Sequence, residues 1–270
     1  MSVTTLVEKV ARVPGVKAIT LGGSRARGMA RANSDWDFGV YYRGSIDTEA
    51  IRALDYPGHV VEPGEWGRIV NGGAWLEVDG ERVDLLYRDL DVVEHWVSEA
   101  DAGRFEVDRV GGHVAGLPTY ILAGELDLGT TLRGSVPRAS FSAALRQTAP
   151  PHWEGDAAFS LLVAEGMAAR GDAVAVAGLL ARALIAFAQA RLAARGAWVL
   201  NEKGIVERAG LEEAADVLTA VGWTKQRLEA SVARMRELLR LERPADMQFD
   251  SVVKPGAATT ASASGIEAIA

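Results

Sequence analysis

The sequence of 270 residues predicts an α+β protein, in which a small mixed β-sheet with flanking helices precedes an α-helical bundle. Two observations lead to this fold class. Residues 18–21 and 35–42 are short runs rich in apolar, aromatic and β-branched side chains, as half-buried strands are. Beyond residue 151, apolar residues recur instead at the spacing of helices. The chain is therefore expected to be strand-rich first and helical afterwards.

Turn-forming residues indicate where the change occurs. Gly134–Pro137 and Thr148–Pro151 interrupt the strand-like pattern. We expect a first domain over residues 1–135 and a helical domain over residues 136–250. Residues 251–270 have the Ala-, Ser-, Thr- and Gly-rich composition of a disordered tail.

Three helices are expected in the second domain. The first has an apolar face formed by Phe159, Leu162, Val163, Gly166 and Met167. The second begins with Asp172 as its cap and ends near Gly196. The last begins after Thr224 and ends before Pro244. Its apolar face is expected to hold Leu228, Val232, Met235 and Leu239.

A pair of alternate carboxylates heads the second strand. Side chains two residues apart share a face of a strand, so Asp35 and Asp37 point the same way, while Trp36 and Phe38 point to the packed side. Two adjacent carboxylates raise each other's pKa unless a cation lies between them. The pattern therefore predicts a divalent metal.

A third carboxylate lies on a later strand over residues 81–87. Alternation directs Asp84 away from Val83, Leu85 and Tyr87, which are expected to be buried. Three carboxylates on adjacent strands can hold one or two Mg²⁺ ions, which prefer oxygen ligands and share them with substrate phosphates. Asp35, Asp37 and Asp84 are the expected metal ligands and catalytic residues.

A glycine-rich turn follows the first strand. Gly22 and Gly23 let backbone amides approach an anion, and Ser24 adds a hydroxyl. Arg25 and Arg27 can add positive charge. Each of these residues is an expected nucleotide ligand, although a lone Gly-Gly-Ser run is more often only a turn.

The turn and the carboxylates together resemble the signature of the nucleotidyltransferase superfamily, which includes DNA polymerase β, kanamycin nucleotidyltransferase and the minimal nucleotidyltransferases. The resemblance rests on residues 22–28 and 34–38. It implies that a nucleoside triphosphate, with ATP as the expected donor, is attacked at its α-phosphorus by an acceptor hydroxyl, with loss of pyrophosphate. Two Mg²⁺ ions would clamp the attacking and leaving oxygens. Lys203, between two helices of the second domain, is expected to reach the nucleotide.

The composition of the chain limits the classes of partner that we expect it to bind. The net charge of −7 and the dispersed arginines disfavour nucleic acid and suit a cationic small molecule. The chain has no cysteine and its first residues lack the apolar core of a signal peptide, so we expect a cytoplasmic enzyme. The apolar run at residues 173–190 contains Arg182 and is expected to be a buried helix rather than a membrane span. The resemblance to kanamycin-type enzymes, which place their cleft at a dimer interface, implies a homodimer.

Three functions are consistent with these observations. The first is transfer of a nucleoside monophosphate to a hydroxyl of a small molecule such as an antibiotic. The second is adenylylation of a protein, as in toxin–antitoxin pairs, which the chain's own helical domain disfavours. The third is a catalytically silent nucleotide sensor, which the presence of all three aspartates disfavours.

Overall fold

The computed structural model describes residues 2–31 and 33–242, and the predicted tail at residues 251–270 lies outside them. Eight strands are found in the described part. Their bounds are β1 Val16–Leu21, β2 Trp36–Tyr42, β3 Gly58–Val60, β4 Gly73–Val78, β5 Glu81–Asp89, β6 Val107–Asp108, β7 Leu117–Pro118 and β8 Thr130–Arg133.

Six of these strands form one mixed sheet in the order β3-β4-β5-β2-β1-β8. β2 and β5 run parallel, and the other neighbours in this sheet are antiparallel. β6 and β7 form a separate antiparallel pair. The predicted mixed sheet is therefore confirmed, and its single parallel pairing joins the two strands that carry the predicted catalytic aspartates.

Eleven helices are found among the same residues, and the three longest of them lie in the second half of the chain. Their bounds are α1 Val3–Val10, α2 Gly23–Ala26, α3 Thr48–Arg52, α4 Gly67–Val70, α5 Leu90–Asp101, α6 Ile121–Leu128, α7 Ala143–Arg170, α8 Ala173–Ala194, α9 Ile205–Ala209, α10 Glu212–Thr219 and α11 Lys225–Leu239.

Helix caps predicted from the sequence are present. The Asp172 carboxylate accepts a hydrogen bond from the Ala175 amide at the start of α8. Thr224 caps α11 in the same way. The four residues predicted for the inner face of α11 are all buried. Side-chain oxygens satisfy amides that have no partner within the first turn, so the local sequence fixes where these helices begin.

The predicted interruption at Thr148–Pro151 is wrong. α7 continues through Pro150 and Pro151 for 28 residues. Proline removes one helical hydrogen bond and crowds the preceding turn. Here Ala149 and Trp153 on either side are fully buried, and the Trp153 indole donates to the Tyr120 hydroxyl at 2.9 Å. Packing therefore outweighs the local preference.

The predicted apolar face of α7 is confirmed only in part, because Leu162 is buried and Met167 packs against the core, whereas Phe159 is 40% exposed. The buried stripe is formed largely by small residues, which allow α7 to pack closely along α8. Its members between residues 157 and 168 are Ala157, Ser160, Leu161, Leu162, Ala164 and Ala168. A pattern that counts only large apolar residues misses a stripe of alanines.

Two apolar cores lie on opposite faces of the main sheet. One face, with Phe38, Val40, Val83 and Leu85, packs against α1 and α3. The other face carries Tyr41, which belongs to the core of the helical region. α5 and α6 share that second core with α7, α8 and α11. The domain boundary at residue 135 stays a prediction.

By length and composition alone, α8 is long and apolar enough to cross a membrane. Half of its most apolar stretch is buried inside the structure. It lies against α7 and α9, and ten of its side chains, among them Leu180, Leu184 and Leu192, are buried. The prediction of a helix that contributes to a protein core agrees with these contacts.

A buried ion pair joins the sheet to the helical region. Arg88, on β5, is 4% exposed. Its Nε and Nη2 atoms donate to the Glu125 carboxylate on α6 at 2.6 and 2.7 Å. Its Nη1 atom donates to the carbonyls of Val70 and Tyr87. Four of the five N–H groups of this guanidinium thus donate to protein oxygens.

We predict that Arg88→Met lowers the free energy of unfolding by about 3 kcal/mol, because the carboxylate of Glu125 is left without its partner in a largely buried position. Arg43→Met is the matched control, since Arg43 pairs with Asp91 and Glu94 at the exposed surface. Its cost should be below about 1 kcal/mol. Urea unfolding measures both, and equal losses would contradict a special role for the buried pair.

Candidate active site

Two carboxylates lie side by side on the sheet. β2 and β5 are parallel neighbours, and their register places Asp37 directly beside Asp84. Side chains at paired positions project from the same face. The burial pattern of both strands confirms the predicted alternation, because Phe38, Val83 and Leu85 are buried on the opposite face. Asp35 lies one residue before β2.

The glycine turn is built against Asp37. The Gly22 amide donates to the Asp37 carbonyl at 2.8 Å, which ties the end of β1 to β2. Gly23 begins the short helix α2 with φ of +60°, a conformation that side chains disfavour. A Cβ atom at Gly23 would overlap Oδ2 of Asp37. Only glycine lets this carboxylate rest on the turn.

A cavity of about 640 Å³ lies in front of the two carboxylates, between the sheet and the helical region. It brings together eight of the nine site residues predicted from the sequence. They are Gly22, Gly23, Ser24, Arg27, Asp35, Asp37, Asp84 and Lys203. Lys203 comes from the segment between α8 and α9, some 120 residues after Asp84 in the chain.

Arg25 does not line this cavity. Its guanidinium donates to the carbonyls of Ser34 and Asp35 at 2.7 and 3.2 Å and lies 4.0 Å from the ring centroid of Trp36. It also pairs with Glu81 at 3.3 Å. These contacts occupy its donors in holding the segment before β2. The structure therefore gives Arg25 a positioning role, where the sequence predicted a phosphate ligand.

The donor set suits a divalent cation in kind, since Asp35, Asp37 and Asp84 supply only carboxylate oxygens to one cavity. Across residues 2–31 and 33–242, however, no three acidic or histidine side chains converge closely enough to hold a metal ion as they stand. Oδ1 of Asp35 lies 2.7 Å from Nε of Arg82. Asp35 would have to leave Arg82 to join a metal site.

Burial and mutual repulsion act on both strand carboxylates. Burial, followed by the charges of Asp37 and Asp35, raises the pKa of Asp84 to about 6. Burial and the charge of Asp35 also raise the pKa of Asp37. The Lys203 ammonium opposes both shifts. The site thus concentrates negative charge that the protein only partly compensates, as perturbed groups in functional clefts often do.

Cations also line this cavity. Arg27 donates to the Gly23 carbonyl at 3.1 Å, and Arg208 on α9 donates to the Trp198 carbonyl at 2.7 Å. Burial, and then the charge of Arg27, lowers the pKa of Arg208. Two guanidiniums that repel each other beside Lys203 favour an anion between them. Sequence analysis missed Arg208, because nothing in its local sequence distinguishes it from the many other arginines.

The floor of the cavity was also missed. It includes Thr20, Gly39, Tyr41 and Glu125. A Cβ atom at Gly39 would lie 2.7 Å from the Thr20 hydroxyl oxygen, so glycine keeps the floor open. Burial and the charge of Glu125 raise the pKa of Tyr41. The alternation that places Asp37 in the cavity also places Tyr41 there, and that signal could have identified it.

Part of the sequence matches the model of a known protein family. Residues 3–99 match the family model described as a nucleotidyltransferase domain. This range contains the glycine turn and all three aspartates, whereas Glu125, Lys203 and Arg208 lie beyond it. The first part of the chain is therefore a nucleotidyltransferase domain, and the match supports nucleotidyl transfer in general. A comparison with curated proteins gives no match.

Solved structures give weaker likenesses. A nucleotidyltransferase-like protein from Exiguobacterium sibiricum 255-15 is 14% identical with a TM-score of 0.43, over 88% of this chain and 72% of that protein. An aminoglycoside 6-adenyltransferase from Bacillus subtilis is 10% identical with a TM-score of 0.28, over 88% of this chain and 86% of that protein. Likenesses as weak as these say nothing about the activity of this chain.

The contact between Gly23 and Asp37 generates a prediction with a matched control. Gly28 also has a positive φ, but a Cβ atom there would meet open space. Gly28→Ala should therefore cost only the conformational strain, about 1–2 kcal/mol. Gly23→Ala should cost more and should also weaken binding of Mg²⁺ with ATP, because it displaces the Asp37 carboxylate. Urea unfolding and calorimetric titration measure the two effects; indistinguishable variants would show that the turn does not position Asp37.

Proposed function

We propose that this chain, through its nucleotidyltransferase domain, transfers a nucleoside monophosphate from a nucleoside triphosphate to a hydroxyl of a small molecule and releases pyrophosphate. The observation that carries the proposal is the placement of Asp37 beside Asp84 in one cavity with the Gly22–Ser24 turn. ATP is the proposed donor, and the reaction is proposed to depend on Mg²⁺. The acceptor is proposed to be a cationic small molecule, in keeping with the net charge of −7.

The cationic side of the cavity supports binding of the triphosphate. Arg27, Lys203 and Arg208 converge there, and their charges would neutralise the β- and γ-phosphates. The Ser24 hydroxyl lies at the start of α2 and can donate to a terminal phosphate oxygen. In the transition state, negative charge grows on the leaving pyrophosphate, so the same cations would lower the barrier.

The carboxylate side supports the chemistry at the α-phosphorus. Asp35 and Asp37, with Asp84 as a further ligand, would hold the divalent metal. Bound there, Mg²⁺ would neutralise charge on the phosphates. A bond forms between the acceptor oxygen and the α-phosphorus, and the bond from that phosphorus to the bridging oxygen of pyrophosphate breaks. The acceptor proton would pass to the Asp84 carboxylate, which lies beside Asp37 in the same cavity.

The proposal is tested with purified protein, Mg²⁺ and each of the four ribonucleoside triphosphates, against a panel of hydroxylated and aminated small molecules. Intact mass should show an acceptor heavier by one nucleoside monophosphate, with ATP giving the largest yield. Asp37→Asn should abolish the product while the protein still folds, because a ligand and a charge are lost. Arg43→Asn is the control at the exposed surface and should leave the yield unchanged.

Other outcomes would contradict this assignment. A mass gain on a protein added to the reaction, with none on small molecules, would favour protein modification. Nucleotide binding without any product would favour a sensor. Full activity of Asp37→Asn would overturn the role of the carboxylate pair.

A further inference from the structure

A row of side chains extends the carboxylate site across the sheet. The register that pairs Asp37 with Asp84 continues from Asp84 to Trp75 on β4, and from Trp75 to His59 on β3. Paired residues project from the same face, and neighbouring strands lie about 4.8 Å apart. Trp75 is therefore the direct neighbour of Asp84, on the side away from the glycine turn.

Trp75 is unusual for its exposure. It is 52% exposed, although its strand neighbours Ala74 and Leu76 are buried. Large apolar side chains are scattered on most protein surfaces, so exposure alone carries little weight. Its position as the register partner of Asp84 is what distinguishes it.

A second tryptophan fixes the orientation of the first. The rings of Trp66 and Trp75 stack, with centroids 4.7 Å apart and planes 25° apart. Trp66 lies over Gly73, where a Cβ atom would approach its ring to 2.8 Å. The Trp66 amide is held by the Asn71 carbonyl. Trp66 thus covers one face of the Trp75 ring. We call this pair of rings the tryptophan platform.

Two acidic side chains lie near the platform, and the neighbouring cation, Arg82, is paired with Asp35. Glu77 is exposed on the same face of β4, two residues after Trp75. Asp84 lies on the neighbouring strand. An aromatic face between carboxylates suits a ring whose apolar face stacks on the indole and whose amines reach the acidic groups. The cations Arg27, Lys203 and Arg208, by contrast, lie with the cavity on the other side of Asp84.

We propose that the tryptophan platform is the acceptor subsite, and that the acceptor is a hydroxylated ring molecule carrying amines. This inference rests on the proposed function and adds where the acceptor lies and what chemistry it has. The triphosphate occupies the cationic side of the carboxylates, and the acceptor occupies the aromatic side. A ring stacked on Trp75 places a hydroxyl beside Asp84.

The test uses the full chain saturated with Mg²⁺ and a non-hydrolysable ATP analogue. Three probes are titrated by calorimetry: tobramycin, which has hydroxylated rings with amines; raffinose, which has neutral rings; and spermine, which has amines without a ring. Tobramycin should bind most tightly. Trp75→Ala should weaken its binding about tenfold, and Trp75→Phe should retain most of the affinity, because an aromatic face remains.

Controls separate this proposal from the one on which it rests. Trp223→Ala removes a tryptophan that is 82% exposed between α10 and α11 and should leave every affinity unchanged. The ATP analogue should bind Trp75→Ala as it binds the unaltered protein. A loss of analogue binding in Trp75→Ala would show that the nucleobase, not the acceptor, stacks on the platform.

The remaining outcomes overturn one proposal or both. Equal binding of tobramycin to Trp75→Ala and the unaltered protein, or no binding to either, would exclude the platform as the acceptor subsite while nucleotide binding still supports the transferase. Raffinose or spermine binding as tightly as tobramycin would overturn the stated acceptor chemistry. Failure of the analogue to bind the unaltered protein would overturn the proposed function and this inference with it.

Discussion

Two carboxylates held side by side in a partly desolvated cavity are the constraint on which the rest of this structure depends. The parallel pairing of β2 with β5 fixes Asp37 beside Asp84, and backbone hydrogen bonds prevent the two strands from moving apart. Burial, followed by the charges of Asp37 and Asp35, raises the pKa of Asp84, and burial with the charge of Asp35 raises the pKa of Asp37. Two neighbouring, partly buried negative charges destabilise the folded protein unless cations lie nearby. The Lys203 ammonium offsets part of this unfavourable energy, and a divalent ion would offset the remainder.

The negative and the positive groups of the site come from different halves of the chain. The sheet supplies the carboxylates and the glycine turn, whereas Lys203 and Arg208 come from the segment around α9. The halves must therefore be held in fixed relation for the charges to face each other across the cavity. The core that α5 and α6 share with α7, α8 and α11 does this, and the buried pair of Arg88 and Glu125 ties α6 to β5. A structural ion pair and a functional charge arrangement thus share one strand.

Local patterns predicted the part of the site that lies on single strands. Alternation placed Asp37 and Asp84 each on the side of its strand away from the apolar residues, and the positive φ of Gly23 agrees with the predicted turn. Such local patterns could not predict contacts between segments that are distant in the chain. The role of Arg25 depends on its contact with Trp36, and Arg208 reaches the site only through the packing of α9 on α8. The prolines of α7 mislead because buried neighbours hold the helix together despite them.

The central claim is that the Asp37 and Asp84 carboxylates form the metal end of a nucleotide site. Its most direct test is the anomalous scattering of Mn²⁺ in crystals grown with Mn²⁺ and a non-hydrolysable ATP analogue. A peak within coordinating distance, about 2.0–2.4 Å, of Asp37, with the analogue's phosphates directed toward Lys203 and Arg208, is the predicted result. A metal bound elsewhere, or phosphates seated without metal at these carboxylates, would contradict the account.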